Sequence, residues 1–220
     1  MADSGIATAA DYADAMITAR RAKNVLVLLL LLFLLAQLTL FFLVRFDVLH
    51  VDASVDTTVP TTMPAHISVN WSDVLHYVLA ATTFLGVTFT IVLGFVILLI
   101  ANIMLVGRLI GVARVTSAYI WSLILLVLLF PWQSFLGDAG VTLNQAAFKI
   151  PGVLCTWEEL SQNAHFSTSD VQVAALKWAR FVAFPVLAIL ILLAIQIKSN
   201  RGMRQALGEE DLNLSGENLS

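Results

Sequence analysis

Four apolar runs without a single acidic side chain restrict this chain more than anything else in it: Val25–Val44, about Leu75–Val106, about Val115–Leu136 and about Trp178–Ile197. Each is long enough to cross a hydrocarbon core about 30 Å thick, which takes roughly 20 apolar residues in a helix. Inside lipid no water is available to the backbone, so a spanning segment closes its hydrogen bonds within a helix or around a closed barrel. Barrel strands alternate apolar and polar side chains, and these runs do not. The sequence therefore predicts an all-α integral membrane four-helix bundle, up-down-up-down. A cytoplasmic segment (1–24) precedes the membrane domain (25–197), which carries exoplasmic loops at 45–74 and 137–177; the tail (198–220) is acidic and expected to be disordered at its end.

Composition agrees. Of 220 residues, 59% are hydrophobic and 12% charged, with a mean hydropathy of +0.88; soluble domains carry about 25% charged residues. The formal net charge of −3 argues against nucleic acid as a partner, because phosphates call for a basic stripe. A single cysteine, Cys155, forbids an intrachain disulfide and is expected to be a buried thiol. Arg20, Arg21 and Lys23 precede the first run as in a signal peptide. That run outlasts the roughly 7–15 residues of a cleavable h-region, and no small-x-small site follows it. It is expected to be an uncleaved first span.

Orientation follows the distribution of Lys and Arg around the spans. With the N-terminus inside, Arg20, Arg21, Lys23, Arg108, Arg114, Lys198, Arg201 and Arg204 lie inside, and only Arg45, Lys149, Lys177 and Arg180 lie outside. Both termini are thus expected to be cytoplasmic. Trp71, Tyr77, Trp132 and Trp178 stand where interfacial aromatic anchors belong. A bacterial inner membrane suits this pattern.

Span two is overlong: Leu75–Val106 rises about 48 Å at 1.5 Å per residue, so it must tilt or protrude. The short Gly107–Arg114 connection predicts that spans two and three form an antiparallel hairpin. Thr82, Gly86, Thr90 and Gly94 recur every four residues along one face of span two. Small side chains there allow close approach of another helix, with a right-handed crossing favoured; a substrate path along the same groove is the functional alternative. Gln37, Thr39 and Asn102 can hydrogen-bond between helices, and Pro131 and Pro185 predict kinks near the exoplasmic ends of spans three and four. Lys177 and Arg180 oppose the charge bias. With His76 they form a candidate exoplasmic vestibule; the plainer reading is snorkelling to headgroups.

The first outer loop reads as an extended loop or a small hairpin, its short alternating stretches broken by Pro60 and Pro64. In the second, Thr156-Trp157-Glu158-Glu159 fits a capping box opening a short helix. His50, His66, His76 and His165 all fall outside, which raises a metal or haem site. Their spacing does not support one: no two lie three or four residues apart, and there is no Cys-x-x-Cys. Phosphate-binding glycine loops, zinc-protease and nucleophile-elbow motifs are likewise missing. No catalytic, cofactor-binding or metal residue is therefore assigned. The leading expectation is a non-catalytic accessory subunit whose partners are the lipid bilayer and other membrane subunits or further copies of itself. A small transporter or channel for an anionic solute or lipid, and a quinone- or haem-binding redox subunit, are the alternatives.

Overall fold

The computed structural model describes residues 3–46, 71–130, 132, 153–155, 157, 160 and 171–207. Leucine-rich runs make good helices, and the four long apolar runs are helical over most of their described length. Helix α1 spans Asp3–Arg45, α2 Trp71–Val106 and α3 Val112–Leu129. Helix α4, Val171–Trp178, passes through a widened π turn, Ala179–Ala183, into α5, Phe184–Ala206. Four stretches are long and apolar enough to cross a membrane: Asp14–Arg45, Val74–Val106, Val112–Leu129 and Ala174–Ala206.

These helices bury a seam rather than a broad face. On α1 the buried positions are Met16, Ala19, Lys23, Val27, Leu30, Leu34, Gln37, Phe41 and Val44. On α3 they are Val115, Ala118, Ser122, Leu125 and Leu129. Steps of three and four residues keep the buried positions on one stripe of each helix. This is a different pattern from the strict four-residue spacing of Thr82, Gly86, Thr90 and Gly94, because the α2 seam also takes Leu93, Ile97, Ile100 and Met104. The outward faces are apolar too: Leu28, Leu32, Phe84, Phe95, Ile124, Val127 and Leu190 are exposed. So much uncovered apolar surface is stable only in lipid.

Contacts ascend α1 as they descend α5. Lys23 meets Ser199 and Asn200, whereas Phe41 stacks on Phe181. Helices α3 and α5 pair likewise, Ser117 with Lys198 and Val115 beside Gly202.

The junctions have local causes. Helix α2 ends in a Schellman turn, in which the N–H of Leu109 donates to the Met104 carbonyl and that of Arg108 to Leu105. Arg108, not the adjacent Gly107, occupies the left-handed position, with φ 50°. Helix α3 stops at Leu129, short of the expected Leu136. Phe130 is extended (ψ 133°), as the residue before a proline tends to be, here Pro131. The kink expected at Pro185 takes the form of the π turn just before it. Proline cannot donate to the carbonyl four residues back; the widened turn accommodates this, and the N–H of Phe184 donates to Ala179, five residues back.

Candidate functional site

Polar side chains lie at two levels of the bundle. At the level of Lys23 they join three helices. The Lys23 ammonium is fully buried; its Nζ donates to Ser199 Oγ at 3.2 Å and to Asn200 Oδ1 at 2.6 Å. One residue along, Gln196 Nε2 donates to Asn24 Oδ1 at 2.9 Å. On the other side of α5, Lys198 Nζ donates to Ser117 Oγ at 2.9 Å and stands 5.2 Å from the centre of the Trp121 ring. Lysine offers three donors and no acceptor, so hydroxyl and amide oxygens on a neighbouring helix are the partners that let it enter an apolar seam.

The second level surrounds Gln37, whose Nε2 donates to Cys155 Sγ at 3.3 Å. Cys155 belongs to an apolar cluster with Phe41, Leu79, Trp157, Leu160 and Phe181. Cys155 is buried, as expected for a structural thiol. Gln37 Oε1 and Gln196 Oε1 are buried without a hydrogen-bond partner. Most of the capping box around Thr156, including Glu158 and Glu159, lies outside the described residues.

The small-residue face of α2 meets two different neighbours. A Cβ added at Gly86 would touch the Leu154 methyls at 3.5 and 3.7 Å, and one at Gly94 would stand 3.6 Å from Ser122 Oγ. Both are ordinary contact distances. The hydroxyls of Thr82 and Thr90 turn back to the carbonyls of Val78 and Gly86 at 2.7 Å. Beside Gly94 a cavity of about 100 Å³ opens between α2 and α3, lined by Thr90, Phe95, Tyr119 and Ser122 among others. The tightest glycine contact is elsewhere. Gly111, at φ 98°, and Gly202 approach so closely that a Cβ on Gly111 would lie 2.6 Å from the Gly202 carbonyl oxygen, and one on Gly202 would lie 2.7 Å from Val115 Cγ2.

Of the vestibule residues, Arg180 is buried (9% exposed) within the π turn, Lys177 lies one turn earlier and half-buried, and His76 is exposed on α2. The His76 ring packs edge-on against Tyr77, centroids 5.7 Å apart. His50, His66 and His165 lie outside the described residues. Among the described residues, no three His, Cys, Asp or Glu side chains gather as metal ligands would.

Sequence reasoning missed Lys23 with Ser199 and Asn200, Gln196 with Asn24, and the Gly111–Gly202 contact. Each partner is a single residue at a span's margin, where no periodic pattern marks it.

The four candidate spans and their apolar exteriors support a multi-pass membrane protein. No protein-family model matches the chain, and no curated protein or solved structure matches it.

Proposed function

We propose that this chain is a non-catalytic subunit of the membrane, a bundle with both termini on the cytoplasmic face that scaffolds or stabilises a larger assembly of other subunits or further copies of itself. A bacterial inner membrane is the proposed setting. One observation carries this reading: polar side chains at the level of Lys23 bind helix to helix, through buried Lys23 and Ser199 and half-buried Asn200 and Ser117. Helix association in lipid depends on such hydrogen bonds and on close packing, since lipid tails are as apolar as leucine. Gentle solubilisation from native membranes should recover the chain in a complex larger than itself. A monodisperse monomer bound only to lipid and detergent would count decisively against a scaffolding role.

A second reading, transport of an anionic solute, draws on Arg180, a cation buried within a span at a π turn. Ionisable groups inside spans and π turns both recur at functional sites. If this reading holds, Arg180→Ala abolishes anion flux into proteoliposomes while insertion is unchanged; equal flux in both proteins removes it.

A further inference from the structure

Three stretches of chain far apart in sequence meet at one end of the bundle. Lys23 near the start of the first span reaches Ser199 and Asn200, the α2–α3 turn packs on Gly202 through Gly111, and Arg114 Cβ lies beside the same glycine. Each stretch brings exposed arginines: Arg21, Arg108, Arg114, Arg201 and Arg204. Arg114 and Arg204 engage other groups. Among the residues whose side chains are described, Asp14 is the one carboxylate, exposed and two turns before Arg21 on α1, about 10 Å along the helix axis. Like charges gathered this way repel one another unless an anion joins them.

We propose that this end, centred on Arg21, Arg108 and Arg201, binds the phosphodiester headgroup of an anionic phospholipid. Guanidinium groups hold phosphate oxygens with two parallel hydrogen bonds, which an ammonium cannot do. The aliphatic fringe around Arg108 selects a lipid over a free anion: Leu105, Val106 and Ile110 are 65%, 69% and 78% exposed. Acyl chains would cover them while the arginine holds the headgroup, and a soluble phosphate would leave them bare. Arg108 also keeps a left-handed backbone that glycine would adopt more easily. A strained non-glycine residue at a helix end is a frequent mark of a binding surface.

The inference rests on the membrane reading but not on the scaffolding role, and the test separates them. The full chain is placed in nanodiscs of phosphatidylcholine with a rising fraction of phosphatidylglycerol, and retained lipid is counted by native mass spectrometry. Wild type and Arg45→Gln, which removes a charge from the other end, should retain phosphatidylglycerol selectively. The triple variant Arg21→Gln, Arg108→Gln, Arg201→Gln should lose about a hundredfold in retention, given roughly fivefold per basic residue near an anionic surface. All three side chains are exposed, so folding should be spared; an unchanged circular dichroism spectrum verifies it. Equal retention in the triple variant, equal retention of both lipids, or displacement of the lipid by millimolar inorganic phosphate overturns the proposal. A chain that stays in solution free of lipid and detergent overturns the membrane reading first.

Discussion

Lys23 sits in the α1 seam between Ala19 and Val27, where the pattern calls for an apolar side chain. A polar residue at one seam position of a coiled coil fixes register at a cost in stability, and Lys23 can do the same here because its acceptors belong to one turn of α5. Sliding α1 by one turn would exchange this pair of acceptors for Ile195 and Gln196 on one side or Met203 and Arg204 on the other. Lys23→Ala and Asn200→Ala, alone and combined, should therefore show coupling of about 0.6 kcal/mol, and no more than about 1.7 kcal/mol, the range of such bonds within membranes. Reversible unfolding in mixed micelles measures it; strictly additive effects would mean that the contact is incidental. In the sequence Lys23 reads with Arg20 and Arg21 as an inner-flank charge, since a lysine before an apolar run ordinarily reaches for headgroups. Its role depends on Ser199 and Asn200, 176 and 177 positions away, and nothing local records that pairing.

At the scale of elements, two kinds of glycine can be told apart. Gly94 and Gly86 have room for a methyl group, whereas Gly111 and Gly202 do not. Gly202→Ala should force α3 and α5 apart and cost about 1–3 kcal/mol, the usual range for overpacking; Gly94→Ala should change stability by less than about 1 kcal/mol or raise it, because alanine is the better helix former. Thermal unfolding of the two variants in one detergent compares them, and a reversed order would refute the assignment. The periodic stripe on span two was legible because small residues repeated every four positions. Gly202 stands alone among polar residues beyond the fourth span, so no repeat drew attention to it. Hydropathy marked the apolar runs, but not where the helices begin and end. Helix α1 starts at Asp3 and α5 continues to Ala206, beyond the apolar runs, because polar residues propagate a helix already nucleated by its neighbours. In the opposite direction, α3 gives way at Phe130, where Pro131 acts on backbone that hydropathy alone reads as more span.

Across the whole molecule, the helices differ in reach. Helix α3 has 18 residues, and the span ending in α5 covers 33, about 27 Å against about 50 Å of rise. The longer rods can lean to suit a bilayer, but a rod shorter than the hydrocarbon cannot gain length by leaning. At about 27 Å, α3 has little length to spare across a core of about 30 Å, so the flank bearing it is the one sensitive to bilayer thickness, while the longer rods tolerate a wider range. In a thicker membrane the mismatch on that flank is met by local thinning, by snorkelling of flanking residues or by a similarly short neighbour. Reconstitution in phosphatidylcholines of increasing acyl length should give falling unfolding temperatures beyond the chain length that matches α3, and a flat response would show that the bilayer makes no such accommodation.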